Sequence, residues 1–248
     1  MREKDKKVKV VIQNCNLCVL NGPLVVLNKL YKEYEVKHPN AWQIQMHSKR
    51  GGRDWDGMIH YISDTGKFRI GLLPSIYKRL IELGISVEIV DMRPEIGVKP
   101  IVPKVVGKLT PRPVQSDVIR SIVNNKIGNT PFYIGVQNLA VNFGKTLIMA
   151  SVHLAFKSKL KTLVLTQDSD WFKQAQTEFK DLIVDEPISF IQGGKVKGEW
   201  ANFSIGMVQT LSRNIKTYQR ELSKIDILLI DECDLIDNKT YKTVIEHL

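Results

Sequence analysis

The back half of the chain alternates short apolar runs with longer stretches of helical periodicity. Runs rich in β-branched residues occur at about 132–137, 162–166, 188–192, 203–208 and 226–231, and helical patterns occupy 145–157, 170–182 and 212–223. Strands that are apolar throughout must be covered on both faces, so the pattern predicts an α/β fold with a parallel sheet between helices. Ligands of such sheets bind beyond the carboxyl ends of the strands.

The front half predicts a smaller α+β domain. Strands are expected at 7–20, 42–48, 57–63 and 85–91, and helices at 23–37 and 72–83, where Gly84 is a natural stop. The segment KPIVPKVVGKLTPR at 99–112 has three prolines and no acidic residue, which is typical of a semi-stiff connector. We therefore expect a domain at 1–98, a connector at 99–112 and a second domain at 113–248.

The net charge of +10 is spread unevenly over these segments. Residues 1–98 hold 16 basic and 11 acidic side chains, 99–112 hold 4 and none, and 113–248 hold 16 and 15. A basic front half next to a nearly neutral back half favours a polyanionic partner for the front half, most simply nucleic acid. The alternative is that these lysines only solubilise the surface.

Other features of the sequence exclude several classes of protein. No run of about eighteen apolar residues predicts a membrane span, and the start MREKDKKVKV has no apolar stretch of a signal peptide behind it. Three cysteines make no disulfide framework, so we expect a cytoplasmic protein with no membrane partner. Cys15 and Cys18 form a lone C-x-x-C, which we interpret as buried free thiols rather than a metal or redox site.

A phosphate-binding loop is indicated by LAVNFGKT at 139–146. Gly144, Lys145 and Thr146 follow an expected strand and begin an apolar helix, so backbone N–H groups would face phosphates. Lys145 would reach the β and γ oxygens, and Thr146 would bind Mg²⁺. The glycines that usually precede these residues are missing, but Asn142 tolerates the positive φ that a glycine would supply. The side chain of Phe143 can point away from the phosphates.

A second motif is acidic and follows the last expected strand, where ILLI leads into Asp231, Glu232, Cys233 and Asp234. A carboxylate at the carboxyl end of a strand in such a sheet can hold a nucleotide-bound Mg²⁺. A neighbouring glutamate can orient or deprotonate the attacking water. The alternative is a polar strand end that only enters a turn.

Together with the segment RPVQ at 112–115, these motifs resemble the first, RecA-like motor lobe of superfamily 2 helicases and translocases. The resemblance implies ATP and Mg²⁺ as cofactors and places Gln115 near the adenine. It implies catalytic roles for Lys145, Asp231 and Glu232 and metal binding by Thr146 and Asp231. The implied ATP-binding residues are Arg112, Gln115, Asn142, Phe143, Gly144, Lys145 and Thr146.

The same resemblance implies a nucleic-acid track along three loops of the lobe. In the family these loops follow successive strands, and the matching residues here are Gln167, Gly193, Gly194, Gln209 and Thr210. The segment QDSD at 167–170 departs from the family because two acids there would repel phosphates unless they face outward.

The front domain resembles the small N-terminal domain of phage recombination and branch-migration helicases of the UvsW type. Trp55-Asp56-Gly57 and Gly71-Leu72-Leu73 are the matching positions. The basic residues around Trp55 suit contacts with DNA phosphates, although Trp55 itself is more simply a core residue beside a turn. The candidate DNA-binding residues of this domain are Lys49, Arg50, Arg53, Trp55 and Arg69.

We therefore expect the N-terminal part of an ATP-dependent helicase that acts on duplex or branched DNA, in the host cytoplasm if it is phage-encoded. The second motor lobe would have to be supplied in cis or in trans, so this chain alone should be a weak ATPase. One alternative is a non-catalytic nucleic-acid-binding protein with a degenerate lobe. Another is the motor of a restriction or repair nuclease. The residues themselves do not decide between DNA and RNA.

Overall fold

The computed structural model of the chain describes residues 7–48, 55–193, 199–236 and 238–248. The chain divides into two compact units. The first contains the residues up to Glu95 together with Lys126–Phe132, and the second contains Ile96–Asn125 and Tyr133–Leu248. The basic proline-rich segment 99–112 belongs to the second unit.

The first unit is built on a four-stranded sheet. Its elements in chain order are β1 (Lys7–Ile12), β2 (Leu17–Asn21), α1 (Leu24–Glu33), β3 (Glu35–Lys37), α2 (Ala41–Ser48), β4 (Met58–His60), β5 (Lys67–Arg69), α3 (Leu73–Glu82), β6 (Ser86–Asp91), β7 (Lys126–Ile127) and β8 (Thr130–Pro131). The sheet order is β5-β2-β1-β6, in which β1 and β6 are parallel and the other pairs are antiparallel. Strands β3 and β4, and β7 and β8, form separate two-stranded ribbons.

One face of this sheet carries the core of the first unit. Val8, Val10 and Ile12 are fully buried, at alternate positions of β1, because successive side chains of a strand point to opposite faces. Helix α3 packs against β6, and its residues Leu73 and Ile76 are also fully buried. The apolar spacing predicted a helix at 72–83, and α3 confirms this prediction.

Two predictions for the start of the first unit were wrong. The single strand expected at 7–20 is a hairpin, because the side-chain oxygen of Asn14 accepts hydrogen bonds from the backbone of Asn16 and Leu17 and turns the chain. Cys15, expected to be buried, lies in this turn and is exposed, whereas Cys18 is a buried free thiol whose pKa is raised by burial to about 11.

The strand expected at 42–48 is helix α2. Its alternating apolar and polar residues suggested a strand, but Ile44 is its only β-branched residue and good helix formers such as Gln and Met dominate the segment. Trp42 is 70% exposed, so the segment does not bury an apolar face as a strand of the sheet would. The helix expected at 23–37 is also shorter, because the chain leaves α1 at Glu33 and enters β3.

The second unit is the predicted parallel α/β fold. Its elements are α4 (Pro113–Val123), α5 (Lys145–Ala155), β9 (Thr162–Thr166), α6 (Ser169–Leu182), β10 (Ile188–Ile191), β11 (Phe203–Met207), α7 (Val208–Arg213), α8 (Ile215–Leu222), β12 (Ile227–Ile230) and α9 (Lys239–Ile245). The order is β10-β11-β9-β12, and every pair is parallel. The fold class predicted from the alternation of strands and helices is confirmed.

Helices cover both faces of this sheet. Strand β9 is buried along its whole length and delivers Val164 to a core with α5 and α6, and Leu163 and Leu165 to a core with α7, α8 and α9. A third cluster joins α4 and α5, with Ile119 and Ile148 at its centre. The described residues contain no helix that is both long enough and apolar enough to span a membrane.

Two details of the second unit differ from the prediction. Residues 132–137, all of which the structure describes, form no strand. A central strand of a parallel sheet is buried on both faces, but Val136 is 73% exposed and follows a glycine, Gly135, so this run buries only its first residues. The region expected to be one helix at 212–223 belongs to two helices, because α7 ends at Arg213 and α8 begins at Ile215, with Asn214 between them.

Candidate nucleotide site

The segment before α5 forms a tight loop whose backbone uses two left-handed residues. Asn142 has a φ of 61° and Gly144 a φ of 94°. Asparagine is among the few non-glycine residues that accept this conformation, as the sequence interpretation required. Lys145 is the first residue of α5, so the free N–H groups and positive dipole end of this helix face the loop.

Gly144 is held closely by a glutamine from another helix. A Cβ atom at this position would lie 2.5 Å from Nε2 of Gln115, closer than such atoms approach each other. The positive φ of Gly144 favours glycine here, and a larger residue would also have to displace the end of the Gln115 side chain.

The carbonyl oxygen of Phe143 anchors the loop to the start of α4. It accepts a hydrogen bond of 2.7 Å from Nε2 of Gln115 and one of 2.9 Å from Nη2 of Arg112. Oε1 of Gln115 in turn accepts the backbone N–H of Arg112 at 2.8 Å and caps the helix. Arg112 and Gln115 thus contact the loop directly.

The ring of Phe143 points away from the loop interior. It packs against the cluster that joins α4 and α5, and the guanidinium carbon of Arg112 lies 5.8 Å from its centre. A loop that binds phosphate through backbone amides would tolerate a bulky side chain in this place. This packing agrees with the orientation expected for Phe143, which stays a prediction because it refers to bound phosphates.

Asp231 directly follows β12 and is only 6% exposed. Its N–H donates to the carbonyl of Leu165 at 3.0 Å, which fixes it beside the carboxyl end of β9. Burial raises the pKa of the Asp231 carboxyl, and Glu232 and Asp168 raise it further, while the ammonium group of Lys145 lowers it. The charges of Lys145 and Asp231 are therefore close enough to interact.

Glu232 is exposed and adopts a left-handed backbone with a φ of 53°, which is unusual for a residue of its size. It precedes a short 3₁₀ turn, Cys233–Leu235. Strained backbone of this kind concentrates at functional sites. The acidic motif is thus a buried carboxylate followed by an exposed one.

A cavity of about 380 Å³ lies beside the loop. Gly144 and Thr146 line it on the loop side, Gln115 at the start of α4, and Glu178 and Asp181 on α6. The sequence interpretation missed these two acids, because on an amphipathic helix they resemble ordinary solvent-facing charges.

The residues predicted for the nucleic-acid track come together at the carboxyl ends of β9, β10 and β11. Nε2 of Gln209 donates to the carbonyl of Gln167 at 3.2 Å, and the N–H of Gly193 donates to Oγ1 of Thr210 at the same distance. Gly194 lies outside the described residues.

The acids that seemed out of place in this track belong to the start of α6. Asp168 is the N-cap residue, and its carboxylate accepts the N–H groups of Asp170 and Trp171 at 2.8 and 3.1 Å. Asp170 contacts Lys173, and its side chain is 89% exposed. An aspartate before a helical pattern is an N-cap signal that the sequence offered and the interpretation did not use.

In the first unit, Trp55 and Asp56 form the turn that leads into β4. The indole N–H of Trp55 donates to the carbonyl of Met58 at 3.0 Å, and the ring is partly buried beside His38. Asp56 accepts the N–H of Met58 at 2.8 Å, and Gly57 has a φ of 83°. Arg69 is exposed on β5, and Lys49, Arg50 and Arg53 lie outside the described residues.

Within the described ranges, no three carboxylate, imidazole or thiol groups are arranged as a metal cage. A magnesium ion does not need one, because it usually takes one or two protein ligands and completes its shell with phosphates and water. The buried carboxylate of Asp231, with its raised pKa, fits such an ion because a cation would stabilise its charged form.

Comparison with known proteins assigns the lobe to a family. Residues 108–248 match the family described as "Type III restriction enzyme, res subunit". The chain belongs to this family. The match covers the loop, the buried aspartate and all strands of the parallel sheet. None of the curated proteins matched the chain.

Two solved structures share the fold over nearly the whole chain. A structure of the UvsW helicase from bacteriophage T4 aligns with a TM-score of 0.68 and 18% identity, covering 98% of this chain and 88% of that one. A second structure of T4 UvsW aligns with a TM-score of 0.70 and 19% identity, covering 97% of this chain and 50% of that one. The expected resemblance to superfamily 2 helicases of the UvsW type is confirmed at the level of the fold.

Proposed function

We propose that this chain is the N-terminal part of an ATP-dependent DNA helicase or translocase whose lobe binds Mg-ATP. The arrangement of Lys145 and Asp231 carries the proposal. Lys145 begins a helix after a loop with two left-handed residues, and the buried carboxylate of Asp231 lies close enough for its pKa to respond to that lysine. A lysine and a carboxylate placed in this way can meet a triphosphate and its cation.

In this proposal the backbone N–H groups of Gly144, Lys145 and Thr146 hold the β-phosphate. The ammonium group of Lys145 neutralises charge on the β and γ oxygens. The hydroxyl of Thr146 and the carboxylate of Asp231 would hold Mg²⁺, which would neutralise charge at the transferred phosphoryl group. Glu232 orients the attacking water and accepts its proton.

We propose DNA, duplex or branched, as the second ligand. Two solved structures that share this fold are UvsW helicases, and residues 1–98 hold 16 basic and 11 acidic side chains. In the lobe, Gln167, Gly193, Gln209 and Thr210 form a hydrogen-bonded edge on which a phosphate backbone can lie. We also propose a role in recombination or repair, which the resemblance of the front domain to phage recombination and branch-migration helicases implies.

The free cysteines fit a reducing compartment, and we place the protein in the cytoplasm. The chain spans half of the longer UvsW structure, so translocation and strand separation are proposed for the whole protein. The family description adds a second candidate, the motor subunit of a restriction enzyme. A nuclease domain or subunit associated with the full-length protein would favour that alternative.

The proposal is tested by the ATPase rate of the full-length protein with and without forked DNA. We expect stimulation by DNA in the wild type and in Lys216→Ala, a control for an exposed lysine on α8. Lys145→Ala should abolish the stimulated rate, because it removes the cation that meets the phosphates. Equal rates in Lys145→Ala and the wild type would refute the motor function.

A non-catalytic nucleic-acid-binding protein is the remaining rival. It would bind forked DNA and yet show no hydrolysis in any of these proteins. The ordered loop argues against it, because Phe143 and Gly144 keep a defined, hydrogen-bonded geometry that a degenerate site would have no reason to retain.

A further inference from the structure

Helix α2 of the first unit presents a tryptophan to solvent. Trp42 is 70% exposed, which makes it the most exposed aromatic residue in the part of the chain that the structure describes. Its neighbour Ala41 is buried, whereas Gln43 and Ile44 are exposed, so the start of the helix packs through one small residue. The ring of Trp42 therefore contributes little to the core of the unit.

The open ring of Trp42 is a large surface for binding. An aromatic side chain can bury about 150–250 Å² in a core or an interface, which stabilises either one. Single apolar residues on a protein surface are common, so exposure alone does not identify what a ring binds. The charges of the surrounding segment supply that information.

The segment that contains Trp42 is basic, and it has no acidic residue from 36 to 53. Lys37 is exposed at the end of β3, five residues before Trp42. Lys49, Arg50 and Arg53 follow in the sequence and lie outside the described residues, so they count here only as charge. Positive charge attracts phosphates and bases stack on aromatic rings, so an open ring in this segment suits a nucleic acid better than a cationic or purely apolar partner.

The turn before α2 holds the start of the helix in place. The N–H of Ala41 donates to the carbonyl of His38, and the N–H of His38 donates to the carbonyl of Gly57, each at 2.9 Å. The ring of His38 also meets the ring of Trp55 edge-on, with 5.5 Å between their centres. Trp55 is partly buried and its indole N–H is bonded within the turn that leads into β4, whereas the Trp42 ring next to this turn is accessible.

We propose that Trp42 stacks on an unpaired base of branched DNA. This inference rests on the proposed binding of DNA and adds the part of the DNA that the first unit distinguishes. Bases within a continuous duplex are stacked on their neighbours, so their faces are closed to the ring, whereas the unpaired arms of a fork offer free faces. Trp42 thus contributes to the affinity for forked DNA and not to the affinity for blunt duplex, and it does so for any sequence because every base has a π-face.

The experiment measures the affinity of this chain for a blunt DNA duplex and for the same duplex with two unpaired arms, at several salt concentrations. The variants are Trp42→Ala, Trp42→Phe and the control Ile81→Ala, which removes an apolar side chain of 50% exposure from α3. We expect Trp42→Ala to bind the fork about tenfold more weakly and the duplex like the wild type. Its dependence on salt should be unchanged, because an uncharged ring neutralises no phosphate. Ile81→Ala should bind both DNAs like the wild type.

Tryptophan fluorescence adds a measurement that a merely structural role of Trp42 would not change. A base stacked on an indole quenches its emission, so the fork should quench the wild type. Trp42→Phe keeps a flat ring, so it should retain most of the affinity for the fork and lose most of the quenching.

Equal affinity of Trp42→Ala and the wild type for the fork, or equal losses on fork and duplex, would overturn the inference. Thermal melting identifies a variant that does not fold, and Trp42→Phe then decides, because full quenching in that variant also overturns the inference. If the wild type binds neither DNA, the proposed binding of DNA fails as well. If the wild type binds both and the Trp42 variants equal it, only the stacking role fails.

Discussion

Asn142 adopts the left-handed conformation that a glycine usually supplies before the G-K-T residues. The residue has a φ of 61°. Asparagine adopts this left-handed conformation at little cost, whereas a β-branched residue does not. The sequence allowed this conclusion because the set of residues that accept positive φ is small. It could not show that Gln115 supports the next peptide, because that contact joins positions 28 residues apart and depends on how α4 packs.

Substitution of Asn142 tests whether its conformation matters. Asn142→Gly should keep the free energy of unfolding within about 1 kcal/mol of the wild type and retain nucleotide binding, because glycine adopts the same φ freely. Asn142→Val should lose about 1–2 kcal/mol and most of its affinity, because the branched Cβ clashes in this conformation. Urea unfolding and titration with a nucleotide measure both. Equal behaviour of the two variants would show that the loop does not need the left-handed residue.

The raised pKa of Asp231 makes the free energy of unfolding depend on pH. Burial raises the pKa of this carboxyl above its ordinary value of 3.8, so the folded chain holds the proton more tightly than the unfolded chain does. Its contribution to the free energy of unfolding is therefore full below pH 3.8 and is lost as the pH rises through the raised folded pKa. An aspartate that costs stability at neutral pH is understandable if a cation compensates it when nucleotide binds.

Asp231→Asn should thus be more stable than the wild type at about pH 7, and its advantage should shrink towards about pH 4. Urea unfolding at both pH values measures the difference, and Mg-ATP should stabilise the wild type only. A variant that is less stable at about pH 7, or an advantage that does not depend on pH, would contradict the raised pKa.

Some patterns in the sequence were sufficient to predict the strands and helices, and others were not. Strands β9 to β12 were predicted because apolar runs of this length are buried on both faces. The run at 132–137 has a similar composition but forms no strand, because Gly135 and the exposed Val136 interrupt its burial. The segment of α2 alternates apolar and polar residues as a strand does, but its single β-branched residue and its good helix formers favour the helix that the structure shows.

Asp168 caps helix α6, and we assign it this structural role rather than a role in the proposed nucleic-acid track. Asp168→Ala should lower the free energy of unfolding by about 1 kcal/mol, because two N–H groups at the start of α6 lose their acceptor. Asp168→Asn should restore the cap, since asparagine is equally suited to it. Asp170→Ala, an exposed partner of Lys173, should change stability by less than about 0.5 kcal/mol. Thermal or urea unfolding ranks the three, and equal losses at 168 and 170 would exclude the capping role.

At the scale of the whole molecule, the charge distribution suggests how the protein meets DNA. If the basic front half binds phosphates, affinity for forked DNA must fall steeply as salt rises, since each neutralised phosphate releases counterions. Arg69→Gln should weaken binding and make the dependence on salt shallower, while Lys216→Gln on α8 should not. Binding that is insensitive to salt, or a clear preference for RNA, would contradict DNA as the partner.

Two motifs far apart in the sequence made the lobe recognisable as a whole. The G-K-T turn and the aspartate 85 residues after Thr146 were expected to meet at one edge of a parallel sheet, and the ordering of strands in such sheets makes that meeting predictable. The details around them, including the cavity walls at Glu178 and Asp181, depend on packing between α4, α5 and α6. No local pattern of residues encodes those contacts.

The central claim is that the lobe binds Mg-ATP through Lys145 and Asp231. Titration of this chain with a fluorescent ATP analogue and Mg²⁺ tests it most directly, with Lys145→Ala, Asp231→Asn and the control Lys216→Ala in parallel. Our account predicts saturable binding that both site variants weaken by at least about tenfold and that Lys216→Ala leaves unchanged. No saturable binding by the wild type, or equal affinity in all four proteins, would contradict it.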